Sequence, residues 1–446
     1  IVVPAFPDRD FVVSDFGGSG DGTTLNTDAF RKAIKACSDA GGGRVLVPSG
    51  KWLTGSIHLR SNVNLHLMKD ATIVFSRDLD HYLPVVFTRW EGMECYNYAA
   101  PIYGNGLSNV AITGEGTIDG QGDFWWEWKR TQGPTVQRLY QMVVAGVPPS
   151  ERVFGTAKDA LRPNLVQLIS CRNVLIENVT FKNGPMWTIH PVYCSNMVVR
   201  GIKVKTTGPN NDGINPDSSS NIVIEDSYFS TGDDCVVLKA GLNEDGWRVG
   251  RPTENVIIRR VFAHKGHGGV VIGSEMSGGV RNVYATDNRF DGTDRGFRMK
   301  SMRGRGGIVE NIWFEGNRMR NMGKQAVHIN QFYESSTVMP ATTVPPVFRN
   351  IIIRDIDCDG APVGIEVLGL PELPVNTVTL ENIRLRADEG VRVKDAVGLN
   401  VRDLQLQVEK PGPAIWFHQV HGSSVNGMRL WSLSKPWIEL SGPETS

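Results

Sequence analysis

The chain has 446 residues, 40% hydrophobic and 21% charged, and its 47 basic and 47 acidic side chains cancel to a net charge of zero. That balance excludes a nucleic-acid binder relying on a strong global field. No run of 18 or more apolar residues occurs, so no membrane-spanning helix is expected.

The chain begins at Ile1 rather than Met, and removal of a leader is expected. Near the start, Asn26-Thr27-Asp28-Ala29-Phe30-Arg31-Lys32-Ala33-Ile34 opens a helix predicted over Thr27 to Ala40, with a polar N-cap and Gly41 to Gly43 as its stop. Residues 1–80 form a cap region with the first strands. A solenoid exposes an open core at its end, and a terminal helix would cover it.

From Asn62 onward one short pattern recurs: Asn followed by alternating apolar residues. It reads Asn62-Val63, Asn109-Val110, Asn173-Val174-Leu175-Ile176, Asn196-Met197-Val198-Val199 and Asn221-Ile222-Val223-Ile224. It continues at Asn255, Asn282, Asn311, Asn350, Asn376, Asn400 and Asn426. Spacings from Asn173 on run from 23 to 39 residues. Period-two runs punctuated by Gly, Asn, Asp and Ser are strands and turns. Repeated about ten times, such a unit is a solenoid coil. The leucine spacing of leucine-rich repeats is missing, and no 3.6 period supports helical repeats. The expected fold is all-β: a parallel β-helix forming one catalytic domain over residues 1–446, its coils stacked about 4.8 Å apart. The recurring Asn is read as structural, since it tolerates a left-handed turn and bonds to backbone.

Irregular spacings mark insertions. The largest, residues 119–163, carries Phe124-Trp125-Trp126-Glu127-Trp128. Either it walls a binding groove or its tryptophans pack the loop on the body. Others run from Ala240 to Pro252 and from Gln331 to Pro345. The six cysteines are scattered without metal-binding spacing. Cys171 and Cys194 each lie two residues before a ladder Asn and are expected to stack, as thiols or a bridge.

Four charged constellations fall in four successive coils: Asn210-Asn211-Asp212-Gly213, Gly232-Asp233-Asp234-Cys235, Gly266-His267-Gly268 and Arg298-Met299-Lys300. Asp212 and Asp234 are 22 residues apart, close to one coil, so with Asp233 they would form a carboxylate patch on an outer face. Like charges that close raise at least one pKa. The result is a protonated acid beside an ionised base, the requirement of glycoside cleavage. A lone Asp-Gly would be turn chemistry; the ordered set is harder to dismiss. In a strand Arg298 and Lys300 share a face and Met299 points to the core. Such a pair can hold a sugar carboxylate. Arg295, Arg303 and Arg305 extend the charge or simply line a solvated turn. His267, between glycines, is reachable.

These motifs resemble those of the polygalacturonases, family 28 of the glycoside hydrolases, which carry Asn-Thr-Asp, Gly-Asp-Asp, Gly-His-Gly and Arg-Ile-Lys in that order. Asn211 and Met299 depart from the pattern. The stretch Gly266 to Ser274 and the entry segment Asp15-Phe16-Gly17, Gly20-Asp21-Gly22 are also similar. The resemblance implies a right-handed β-helix and an inverting hydrolase of galacturonosidic bonds in pectin. It implies Asp233 as general acid, Asp212 and Asp234 as activators of water, and His267 as a tuner of the acid. Asn210, Arg298, Lys300 and, one coil on, Tyr333 would contact substrate. No metal or cofactor is implied. The inserted loops and Gly273 to Gly279, similar to bacterial exo-acting members, favour exo action on polygalacturonate or oligogalacturonides from the non-reducing end. Endo action or rhamnogalacturonan hydrolysis are the alternatives, with a pectate lyase or a non-catalytic β-helix more distant. The expected partner is an acidic polysaccharide or oligosaccharide, met by a monomer that is secreted or periplasmic and binds neither nucleic acid nor membrane.

Overall fold

The computed structural model describes residues 1–333, 344–433 and 435–442. Of the insertion expected from Gln331 to Pro345, residues 334–343 lie outside the described residues. The chain divides into two compact units, Ile1–Asp233 and Asp234–Ser446. The fold is all-β, a right-handed parallel β-helix.

In the first unit three parallel ladders recur coil after coil. One stacks Val63–Leu67, Ser108–Gly114, Arg172–Glu177, Ser195–Arg200 and Ser220–Glu225. Its register aligns Val63, Val110, Val174, Met197 and Ile222, all buried. A second aligns Ile73, Ile118, Phe181, Val204 and Phe229, and a third Ile57, Ile102, Val166 and Ile189. Apolar residues thus form columns down the core, because period-two alternation sends every second side chain to the same face.

The helix forms over Thr27–Asp39 and buries Ala29, Phe30, Ala33, Ile34 and Cys37. Asn26 does not cap it with its side chain. That amide instead ties the entry segment together, accepting from Ser19 N at 2.7 Å and donating to Leu53 O at 3.1 Å.

The second unit continues the pattern within itself. Val256, Val283, Ile312, Ile351, Val378 and Leu399 align in one column. A separate ladder runs through Val270–Gly273, Phe297–Lys300, Gln325–Asn330 and Val363–Leu368. Among the described residues no helix is long and apolar enough to cross a membrane.

The recurring Asn has a left-handed backbone at nine positions from Asn62 to Asn350, with φ between 54° and 64°. Side-chain amides bond along the stack within each unit: Asn109 donates to Asn62 at 3.0 Å, Asn173 to Asn109 at 3.0 Å, and Asn311 to Asn282 at 3.1 Å. Asn tolerates this conformation better than other residues with a Cβ, which explains the spacing. After Asn350 the reading fails. The left-handed positions are Thr377, Gly398 and Gly422, so Asn376, Asn400 and Asn426 are out of step with the ladder. Glycine meets the same need without a Cβ. All six cysteines are buried thiols, Cys171 and Cys194 included. Those two interact: a hydrogen bond from Cys194 lowers the Cys171 thiol, while burial raises Cys194.

Candidate active site

In the first unit the insertion at 119–163 folds into short helices, Asp123–Trp126, Glu127–Arg130 and Gly133–Val144. Trp125 is fully buried and packs edge-on to Tyr82 and Tyr98, at centroid distances of 5.2 and 6.0 Å. Trp128 closes on it at 5.0 Å. Those two tryptophans anchor the insertion. Trp126 differs: its indole N–H donates to Gly184 O at 3.0 Å, and its ring lies against Gly208, where an added Cβ would meet it at 2.2 Å. Gly184, Gly208 and Gly232 recur at one-coil spacing. A Cβ at Gly232 would in turn fall 2.1 Å from Gly208 O. A glycine column therefore lets an aromatic ring settle beside the turns that carry Asn210 to Asp212 and Asp233.

Asn210 is half-buried with φ 54°. Its Oδ1 accepts from Arg162 at 2.7 Å. Arg162 is fully buried and also donates to Gln132 Oε1 (3.1 Å), Pro185 O (3.3 Å) and Pro209 O (2.7 Å). Burial pulls its pKa down to about 10. Nothing in the motifs points to Arg162, yet it fixes the turn that leads to Asp212. Asn211 turns inward: its amide donates to Gly184 O at 3.1 Å and Met186 O at 3.0 Å. Asp212 is 3% exposed and accepts from Asn215 Nδ2 at 2.6 Å. Its backbone carbonyl accepts from Thr188 N at 2.9 Å, which pins it to the preceding coil. Asp233 is half-buried.

In the second unit Asp234 is 1% exposed. Lys300 Nζ donates to its Oδ2 at 2.6 Å, and Arg298 Nη1 lies 3.7 Å from Oδ1. Gly268 packs on the same carboxylate, where an added Cβ would come within 3.2 Å of Oδ1. Met299 is buried in the core, and Arg298 and Lys300 leave the core as the strand period requires. Both are largely buried, the Arg298 side chain 11% and the Lys300 side chain 7% exposed, with Asp234 and the Tyr333 ring beside them. Arg298 Cζ lies 5.3 Å and Lys300 Nζ 5.1 Å from the Tyr333 centroid, within cation–π range. His267 is exposed on the turn before Val270–Gly273.

The ladder places Arg298, His328 and Glu366 in one column. His328 accepts at Nδ1 from Arg295 Nε, 3.2 Å away, so Nε2 carries the proton and faces Glu366 Oε2 at 3.3 Å. Burial, with Arg295 and Arg298 nearby, pushes His328 down to about 3, which keeps it neutral. Arg295 is thus a buried member of the site, its own pKa held at about 10 by burial and then by Arg298. Arg303 instead pairs bidentately with Glu372, and Arg305 donates to Asn243 at 3.0 Å. Beside Lys300, Glu275 pairs with Lys239. Burial would raise Glu275, but Lys239, Arg305 and Lys300 outweigh it and bring it to about 2.

A buried carboxylate clasped by two cations, with an aromatic ring over both, suits an anionic sugar. Residues 153–400 match the model of glycosyl hydrolases family 28. The chain is 35% identical over 390 residues to the Vitis vinifera protein named "Probable polygalacturonase", covering 83% of this chain and 73% of that one. It is 28% identical to the exo-poly-alpha-D-galacturonosidase of Dickeya chrysanthemi, covering 93% and 74%. The crystal structure of a hyperthermoactive exopolygalacturonase from Thermotoga maritima superposes with a TM-score of 0.88 at 40% identity, over 91% of this chain and 93% of that one. Matched motifs, shared fold and these likenesses converge on one conclusion: the chain is a glycoside hydrolase and belongs to glycosyl hydrolases family 28.

Proposed function

We propose that the chain hydrolyses the α-1,4 bond between galacturonate units of polygalacturonate or oligogalacturonides, with inversion, releasing sugar from the non-reducing end. The observation that carries this reading is the Arg298–Lys300 pair set against Asp234 under the Tyr333 ring. Exo action is supported by the names of the Dickeya and Thermotoga relatives. The folded 119–163 insertion, with Trp126 beside the Asn210 turn, also favours a groove closed at one end.

In this reading Asp233 gives its proton to the glycosidic oxygen as the bond to the anomeric carbon breaks. Water attacks that carbon from the opposite face and loses its proton to Asp212 or Asp234. The half-buried Asp233 can meet a leaving oxygen. Arg298 and Lys300 hold the carboxylate of the sugar being cleaved, Asn210 and Tyr333 contact substrate, and His267 tunes the acid. One catalytic domain spans residues 1–446. The protein acts as a monomer, secreted or periplasmic, on a pectic polysaccharide.

Product analysis tests this. Galacturonate monomer should appear in the first minutes with an inverted anomeric signal, and Asp233→Asn should lower kcat about 10³-fold. An unsaturated, UV-absorbing product made only without chelator would make the enzyme a lyase. Undiminished turnover by the Asn variant would remove the acid assignment.

A further inference from the structure

The late coils of the Asp234–Ser446 unit carry a groove of about 1210 Å³ on their outer surface. It is built by a different ladder from the one that holds Arg298 and Lys300. Register places Arg318, Asp357, Arg384, Gln405 and Arg429 in one outward column, and Arg320, Asp359, Arg386, Gln407 and Trp431 in the next. Between the columns Met319, Cys358, Leu385 and Leu406 point to the core. Each column spans about 19 Å at a strand spacing of about 4.8 Å. The C-terminal wall is apolar: Trp431 is 55% exposed, Trp437 45% and Leu433 73%.

We infer that this groove is a second, non-catalytic binding site for an anionic polysaccharide of the uronate class. Four lining guanidinium groups face three lining carboxylates, those of Asp357, Asp359 and Glu409. Arg384 and Arg386 are engaged with these acids. Arg318 and Arg320 are exposed; both act on Asp357 through space, but among the described residues neither lies within ion-pair distance of a carboxylate. Two planar forks that match a carboxylate therefore stand ready on one flank. The exposed indoles on the other flank offer flat apolar surface for the C–H face of a sugar ring. Exposed apolar surface rimmed by charge marks a binding surface. A neutral glycan would not use the guanidinium flank, and a long polymer suits a groove open at the surface. The choice of a uronate polymer rests on the reading of the catalytic function.

Affinity electrophoresis of the full chain in gels containing polygalacturonate tests the assignment. Arg318→Gln/Arg320→Gln and Trp431→Ala remove different walls, which guards against a folding artefact in one of them. Each variant should be retained at least about fivefold more weakly than the parent, a factor worth roughly 1 kcal/mol. Trigalacturonate hydrolysis should be unchanged, and mobility should match the parent in gels with a neutral polymer. Retention of the parent should fall at high salt. Unaltered retention of both variants overturns the proposal. So does Trp431→Ala turning an assembled species into a monomer while retention stays at the parent level, because the face then receives a second copy of the chain. If the parent fails to cleave polygalacturonate but loses retention with these substitutions, the groove stands and the catalytic reading falls. Cleavage with unaltered retention does the reverse.

Discussion

Arg162→Met probes the support of the Asn210 turn. The guanidinium is fully buried and donates to four neutral acceptors: Gln132 Oε1, Pro185 O, Pro209 O and Asn210 Oδ1. Methionine fills similar volume and leaves all four without that donor. At about 1 kcal/mol for each orphaned acceptor, the loss is roughly 4 kcal/mol. Relief from burying a cation offsets part of it, since burial already holds Arg162 down to about 10. About 3 kcal/mol remains, or roughly 6–10 °C in Tm for a cooperative unit the size of Ile1–Asp233. The released turn also lets Asn210 and Asp212 drift. We expect kcat/KM on oligogalacturonides to fall about tenfold, equivalent to roughly 1.4 kcal/mol of transition-state stabilisation. Arg162→Lys should be intermediate, because an ammonium keeps the charge but cannot reach every acceptor. Differential scanning calorimetry and steady-state kinetics read both effects. A Tm within 1 °C of the parent (against the several degrees expected) together with unchanged kinetics would show that the turn holds itself, and the reasoning fails.

Asn196→Ala should cost about 2 kcal/mol in urea unfolding, combining a left-handed backbone with a lost ladder hydrogen bond, while Asn196→Gly should cost about half as much. Gly208→Ala places a Cβ 2.2 Å from the Trp126 ring, so the indole must move; we expect a shifted tryptophan emission and a raised KM on oligogalacturonides. His328 has a folded pKa of about 3, below an unfolded value near 6.5. The unfolded chain therefore binds the proton first, and stability is present above pH ~6.5 and lost as pH falls toward ~3. Parent minus His328→Gln stability should decline by up to about 1.4 kcal/mol per pH unit within that window, and a flat difference in denaturant titrations would refute it.

Much of the architecture was legible because strand alternation and the left-handed Asn positions are local properties. Asn173 and Asn196 announce their coils through backbone preference alone. The signal ends at Asn376, where Thr377 takes the left-handed place and glycines follow. A threonine there carries no sequence signature. The helices within residues 119–163 have no local signature either, because their apolar residues pack against Tyr82 and Tyr98 from other coils. At the site, Arg298 and Lys300 were readable from strand geometry. Arg162 was not, since its partners lie 23 to 48 residues away and exist only once the coils stack. His328 does carry a sequence signal. It follows Arg298 by 30 residues, close to one coil, and sits directly opposite it in the ladder.

The six thiols carry a consequence for how the molecule matures. A small secreted domain often depends on cystine to restrain its unfolded chain. This chain has no such dependence, because its cysteines serve as packing groups. Folding requires neither a disulfide-forming oxidant nor a disulfide isomerase, and the six thiols are the same in a reducing or an oxidising compartment. Production in ordinary cytosolic expression hosts should yield protein indistinguishable in thiol content from exported material, with all six sulfurs unreactive toward alkylating reagents until the chain is unfolded.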